Sequence, residues 1–172
     1  MKPPWIKVRR KPTAEPSITH IIIWVSNGLF MGGIDFYCPV NDLHEIGKAL
    51  KSFPRSVPDE YYYEYGGDDQ IKEHSWQRYF LMRAFTKDRR GRCAIQVIID
   101  LKQEVPENGY CEFCIHVVEV AQLNRLGNLF HQLYEHERGE FHWNNNSAQI
   151  FEDYQEIGED TFVEIPIGFP LE

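Results

Sequence analysis

A chain of 172 residues with a formal charge of −8 fits a single domain that can bury a core without disulfides or metals. Its acidic balance argues against a general binder of nucleic acids or anionic membranes, because both functions need a positive surface. No apolar run approaches the ~20 residues of a membrane-spanning helix, and the N-terminus lacks the apolar core of a secretory signal. We therefore predict a cytoplasmic protein with no nucleic-acid and no membrane partner.

The chain begins with a segment that is rich in proline and basic residues. Residues 1–17 hold four prolines and five basic residues, a composition typical of a flexible arm. The β-branched run Ile18–Val25 then predicts a strand, and Leu29–Cys38 predicts a second one. Asn27-Gly28 between them favours a hairpin, because these two residue types accept the positive φ of tight turns. The structured part is thus expected to begin at residue 18.

The first helix is predicted directly after this hairpin. Asp42 and Glu45 have the three-residue spacing of a capping box and predict its start. Pro54 predicts its end. The apolar face between them consists of Leu43, Ile46, Leu50 and Phe53. The following stretch, 56–73, has a loop-like composition, with a tyrosine-rich run that favours a short strand.

Three further strands and a second helix follow. Alternating apolar residues predict strands over 76–86, 93–99 and 110–118. The leucine-rich stripe from about Ala121 to Glu137 predicts an amphipathic helix.

The order β-β-α-β-β-β-α predicts an α+β fold. Residues 18–143 are expected to form one domain, with an antiparallel sheet of about five strands and both helices on one face. Residues 144–172 are expected to form an acidic C-terminal extension with one edge strand at 162–167 at best. Pro166 restricts that segment to an edge, because proline cannot donate a ladder hydrogen bond.

No motif commits the chain to a reaction. Nucleophiles and glycines do not have the spacing of known catalytic or phosphate-binding motifs. Cys111 and Cys114 form a C-x-x-C, but residues three apart in a strand point to opposite faces, which disfavours a metal or redox pair. His131 and His136 are five residues apart, whereas a zinc-binding helix face needs four. We predict no catalytic residue, no cofactor and no metal site.

The tyrosine-rich acidic segment is the strongest candidate for a functional site. Tyrosine offers a large contact area with a polar tip, and carboxylates attract a basic partner. The alternative is that the tyrosines pack over the sheet while the acids face water. The predicted partner-binding residues are Asp59, Glu60, Tyr61, Tyr62, Tyr63, Glu64, Tyr65, Asp68 and Asp69.

A family resemblance rests on two local patterns. Phe36-x-Cys38 leads into Asn41-Asp42-Leu43, and the last predicted helix is rich in leucine. Together with the element order over residues 18–136, these patterns resemble small bacterial toxin-immunity proteins of the WapI type. The resemblance implies a compact, acidic protein that neutralises a toxin domain by binding it. No site residue follows from it, and the acidic C-terminus is longer than the pattern requires.

Three hypotheses about function remain open. The main one is a non-enzymatic protein-binding module that binds a basic partner through the acidic, tyrosine-rich surface. The alternative is a small-molecule-binding or catalytic domain with a pocket between sheet and helices. The third is a homo-oligomer that pairs through an open sheet face or edge.

Overall fold

The computed structural model describes residues 2–67, 78–101 and 109–151. Within these ranges the chain forms nine strands, paired antiparallel, and two helices, so the predicted α+β class is confirmed. In chain order the elements are β1 Trp5–Pro12, β2 Ile18–Ser26, β3 Met31–Pro39, α1 Val40–Lys51, β4 Glu60–Tyr65, β5 Tyr79–Thr86, β6 Cys93–Asp100, β7 Tyr110–Val117, α2 Val120–Glu135, β8 Gly139–Asn144 and β9 Ala148–Phe151.

The described strands form two sheets, whereas the sequence predicts one sheet of about five strands. Sheet A has the order β3-β2-β1-β8-β9 and sheet B the order β4-β5-β6-β7. β3 crosses the inner face of sheet B, because Gly32 lies against Cys111 of β7 while Phe36 stacks on Tyr65 of β4. A Cβ at Gly32 would lie 2.6 Å from the Cys111 sulfur, so any larger residue at this position would have to displace that side chain. One apolar core fills the space between the sheets and helices.

β1 replaces the flexible arm predicted for residues 1–17. It lies in the middle of sheet A, hydrogen-bonded to β2 on one side and β8 on the other. Ile6 and Val8 point into the core and are fully buried. The prolines that suggested an arm stand before the strand and at its end, where no ladder hydrogen bond is lost. The proline-rich composition therefore gave the wrong prediction for this segment. The alternation of apolar and polar residues between the prolines is the pattern that indicates the strand.

Arg10 is a buried charge on the inner face of β1 that holds the end of α2. Its guanidinium donates hydrogen bonds to the main-chain oxygens of Leu133 (3.0 Å), Tyr134 (2.8 Å) and His136. The last carbonyls of a helix lack partners within the helix and carry partial negative charge. Burial lowers the pKa of Arg10, against the charge of Glu137, but a guanidinium stays protonated in proteins. Arg10 therefore joins sheet A to α2.

The two helices pack against each other at glycines. A Cβ on Gly127 would lie 2.5 Å from the backbone nitrogen of Lys51, and one on Gly47 would lie 2.8 Å from a backbone nitrogen of α2. The side chain of Asn124 on α2 donates a 2.9 Å hydrogen bond to the Leu50 carbonyl at the end of α1. The helices therefore form a close pair on the core side of both sheets.

The predicted hairpin and helices are present, with differences at their ends. A four-residue loop joins β2 to β3, with Gly28 at φ 92°, so positive φ is confirmed at this residue. α1 begins at Val40 after Pro39, without a side-chain cap. The predicted capping box is therefore wrong: Asp42 lies inside the first turn, where it accepts a hydrogen bond from Tyr63 of β4.

The chain after α2 returns to sheet A. β8 pairs with β1, and β9 pairs with β8 at the sheet edge, so the predicted extension from residue 144 begins inside the sheet. Trp143 of β8 is buried, and its indole N–H donates to the Gln122 carbonyl of α2 at 2.8 Å. The edge strand predicted at 162–167 lies outside the described residues.

Candidate protein-binding surface

β4 divides the tyrosine-rich segment between two faces of sheet B. Glu60, Tyr62 and Glu64 point outward and are exposed, whereas Tyr61, Tyr63 and Tyr65 pack against the core. This alternation is the usual consequence of a strand whose successive side chains point to opposite faces. Each of the two interpretations of the tyrosines, surface contact or packing, therefore describes part of the segment.

The inward tyrosines belong to a buried polar group rather than to a surface. The Tyr63 hydroxyl donates a 2.9 Å hydrogen bond to Asp42, and burial raises the pKa of Tyr63. Burial and the charge of Asp42 raise the pKa of the Cys38 thiol beside them to about 12. The thiol is therefore protonated at neutral pH and is a poor nucleophile. These groups also line a cavity with room for roughly one water molecule.

The remaining predicted residues of the segment have other placements. Asp59 stabilises the loop before β4, since its carboxylate accepts the backbone N–H of Arg55 at 2.6 Å and its own N–H donates to Thr86 at 2.9 Å. Asp68 and Asp69 lie outside the described residues. A role of these aspartates in partner binding stays a prediction.

The outer face of sheet B combines outward residues from all four of its strands. The register places them in cross-strand rows, one of which is Tyr62, Arg83, Gln96 and Cys114. Tyr62 and Tyr110 are each 59% exposed at opposite edges of this face. The members of the face are Glu60, Tyr62, Glu64, Tyr79, Leu81, Arg83, Phe85, Gln96, Ile98, Asp100, Tyr110, Glu112, Cys114 and His116.

One end of this face, called the acidic end, consists of Glu64, Tyr79, Asp100, Tyr110 and Glu112. The register sets Glu64 and Glu112 at opposite edges of a single row, with Leu81 and Ile98 between them. Three strand spacings of ~4.8 Å separate the two glutamates by about 14 Å. The acidic end is therefore a pair of carboxylates on either side of a small apolar floor.

Tyrosines hold these carboxylates in place. The hydroxyl of Tyr79 donates to Glu64 and that of Tyr110 donates to Glu112, both at 2.8 Å. Burial and the hydrogen bond to Glu64 raise the pKa of Tyr79 to about 12, so this tyrosine stays a neutral donor. Gln96 donates a further hydrogen bond to Glu112 at 2.6 Å. Neutral donors orient a carboxylate and leave its negative charge in place.

The opposite end of the outer face, together with the turn between β5 and β6, is rich in cations: Arg83, Lys87, Arg89, Arg90 and Arg92. Arg83 contacts Glu60 at 2.5 Å and lies over the ring of Phe85, with 4.8 Å from guanidinium carbon to ring centroid. In the turn between β5 and β6, Arg92 pairs with Asp88 at 2.6 Å. The face is thus polarised: cations predominate at this end, whereas Glu64 and Glu112 at the acidic end accept hydrogen bonds from neutral donors.

Sequence reasoning found one of the five residues of the acidic end. Glu64 was predicted as a partner-binding residue. Tyr79, Asp100, Tyr110 and Glu112 were missed, because only the register of three strands brings them to the same end of the sheet. Alternation identified the outward positions, but gave no information on which of them are neighbours.

The outer face of sheet A carries a second charged cluster, which is internally paired. Glu140 is 5% exposed and contacts Arg9 at 2.7 Å, Lys7 at 3.2 Å and His142 at 2.5 Å. Burial opposes its ionisation, but the hydrogen bonds from His142 and Arg9 and the charge of Lys7 hold its pKa at about 2. Lys7 and Arg9 also lie over the ring of Trp24. This arrangement fits a structural ion-pair network.

The remaining candidate groups do not form a reactive centre in the described ranges. Cys111 points inward and is half-buried, whereas Cys114 is exposed on the opposite face, as the strand geometry predicts. Over residues 2–67, 78–101 and 109–151, no three His, Cys, Asp or Glu side chains are grouped to hold a metal ion. No helix in that part of the chain has the length and apolar character needed to cross a bilayer.

Comparisons with known proteins give little. No protein-family model matches the chain, and no curated protein sequence matches it significantly. A solved structure of the plant transcriptional regulator PBF-2 is similar over 78% of this chain and 76% of that chain, with 11% sequence identity and a TM-score of 0.48. A similarity of that size assigns this chain neither a family nor a function.

Proposed function

We propose that this protein is a non-enzymatic module that binds a basic protein partner through the outer face of sheet B. The observation that carries the proposal is the acidic end, where the carboxylates of Glu64 and Glu112 lie on either side of an apolar floor. A patch of this kind combines long-range attraction for a cationic surface with apolar area that is buried on contact.

The tyrosines supply the contact area. Tyr62 and Tyr110 are more than half exposed at the two edges of the face. Tyrosine is enriched in binding hot spots, since it buries a large ring with little loss of conformational freedom and still offers a hydroxyl. The exposed rings and the carboxylates therefore favour a protein surface as the ligand rather than a small anion.

From the resemblance to WapI-type immunity proteins, we propose that the basic partner is a toxin domain. The small-molecule alternative has less support, because the cavity lined by Phe36, Cys38 and Tyr63 between the described sheets and helices has room for roughly one water molecule. Ligand sites for small molecules are typically hundreds of cubic ångströms in volume.

The test is affinity capture with the full chain from a lysate of its own source, at low and high salt. We expect one basic protein in stoichiometric amount whose capture weakens at high salt, because screening reduces attraction between exposed charges. Glu64→Lys combined with Glu112→Lys should abolish that capture.

A matched control makes the same change of charge elsewhere. Glu45→Lys combined with Glu135→Lys alters exposed residues on the helices, away from the outer face of sheet B, and should leave capture intact. Equal loss of capture in both double variants would show that net charge alone determines binding and would refute a specific binding surface. Capture of only small molecules or of the chain itself would favour the two other hypotheses.

A further inference from the structure

The tip of the β2–β3 hairpin exposes three consecutive large apolar side chains. Leu29 is 71% exposed, Phe30 64% and Met31 39%. Single exposed apolar residues are common on protein surfaces, but contiguous ones mark interaction sites. These three residues, called the hairpin tip, lie outside the surface that the tyrosine-rich segment indicated.

The hairpin tip is held in a fixed shape. The Asn27 side-chain oxygen accepts the backbone N–H groups of Leu29 (3.0 Å) and Phe30 (2.8 Å), and the Asn27 N–H donates to the Phe30 carbonyl at 3.1 Å. The Ser26 hydroxyl accepts the N–H of Gly28 at 3.0 Å. A loop that is already ordered loses less conformational entropy when it binds. The backbone that carries the exposed side chains is therefore already ordered before a partner binds.

The hairpin tip lies at the β7 edge of sheet B. The Asn27 side-chain nitrogen is 3.4 Å from the Cys114 carbonyl oxygen, and Gly32, just after the tip, packs against Cys111. Cys111 and Cys114 bracket Glu112 on β7, which is the edge strand of sheet B. The tip therefore lies along the same edge strand as Glu112, whose side chain points to the outer face of sheet B.

We propose that the hairpin tip is the apolar anchor of the partner-binding surface, with Leu29 and Phe30 entering an apolar pocket on the basic partner. Lysine or arginine side chains at the rim of that pocket meet Glu112. This inference rests on the proposed function and adds to it an apolar pocket on the partner.

The charge around the tip selects this occupant over two others. An anionic bilayer surface is repelled by the carboxylates at the acidic end. A two-fold pairing of hairpin tips between two copies of the chain would bring another acidic end toward the first. A protein with an apolar pocket ringed by cations complements both features of the edge.

The first experiment places a photo-crosslinker in the full chain. p-Benzoyl-phenylalanine replaces Phe30 in one variant, Tyr110 in a second and the exposed Asn128 of α2 in a control. After irradiation in a lysate of the source, we expect one basic protein linked from positions 30 and 110 and absent at 128. The peptide linked to position 30 should be apolar and flanked by Lys or Arg.

The second experiment uses that protein in purified form. Leu29→Ser combined with Phe30→Ser should weaken its affinity by about tenfold or more in calorimetry, with an unchanged dependence on salt. Glu64→Lys combined with Glu112→Lys should weaken it and flatten the salt dependence. The melting temperature of the serine variant should match that of the parent, because the side chains it removes are exposed.

The outcomes separate the two proposals. A basic protein linked from position 110 but not from position 30, or a serine variant that binds within twofold, would overturn the hairpin anchor and leave the proposed function standing. A link from position 30 to a second copy, to lipid or to a non-basic protein would overturn the anchor in the stated form. No protein linked from either position would overturn both.

Discussion

Glu140 on sheet A and Glu112 on sheet B are both outward-facing glutamates on β-strands, yet their surroundings are opposite. Glu140 is almost fully buried and contacts three potential cations, Lys7, Arg9 and His142. Glu112 is exposed and accepts hydrogen bonds from the neutral groups of Tyr110 and Gln96. The same residue type therefore supports the fold on one sheet and offers charge to a partner on the other.

The comparison extends to the other charges of the two sheets. Arg10 of sheet A is buried and bonded to the end of α2, so its charge is used within the fold. Glu64 of sheet B is exposed and oriented by a tyrosine. Whether a charge is compensated within the chain decides whether it contributes to stability or to recognition. Three substitutions test this division.

The largest effect is expected from Arg10→Met, which removes the buried cation from sheet A. It leaves buried carbonyls at the end of α2 without donors and should lower the free energy of unfolding by about 4 kcal/mol. Urea denaturation measures this difference. The control Lys11→Met, next along β1 on the opposite face, should change stability by less than about 0.5 kcal/mol. Equal losses in both variants would show that the position of the cation is immaterial.

A smaller, pH-dependent effect is expected from Glu140→Gln. The pKa of this carboxyl is held at about 2, below its ordinary 4.5, so its ionised form adds stability above pH 4.5. We expect a loss on the order of 3 kcal/mol at neutral pH, which shrinks as pH falls from 4.5 toward 2. Denaturation curves at several pH values check this.

Glu112→Gln provides the matched change on sheet B. Because Glu112 is exposed, its replacement should alter stability by less than about 0.5 kcal/mol at neutral pH. If both glutamine variants lost the same stability, the distinction between the two sheets would fail.

The smallest effect compares the two faces of β4. Tyr63→Phe removes the hydrogen bond to the partly buried Asp42 and should lower the free energy of unfolding by about 1 kcal/mol. Tyr62→Phe, one residue earlier on the exposed face, should leave stability nearly unchanged. Thermal unfolding of both variants measures the difference. A larger loss for Tyr62 than for Tyr63 would contradict the observed orientation of the strand.

Much of the fold was predicted from local periodicity in the sequence. The β2–β3 hairpin, both helices and the strands β5, β6 and β7 were each predicted from residues within a few positions of one another. Period-two and helical patterns suffice for such elements, because each pattern reflects which side of a single element faces the core. The outward position of Glu64 beside inward Tyr63 follows from the same alternation.

The tertiary structure decided how these elements combine. Arg10 binds α2 across 123 residues of sequence, and Glu64 joins Glu112 at the acidic end through the register of four strands. Proline-rich composition concealed β1, whose place in the middle of sheet A depends on partners near both ends of the chain. Within both helices and the strands β5, β6 and β7, the sequence alone determined which side chains face inward or outward. Only long-range pairing decided which charges are neutralised and which stay available, because no local pattern encodes the neighbour across a sheet.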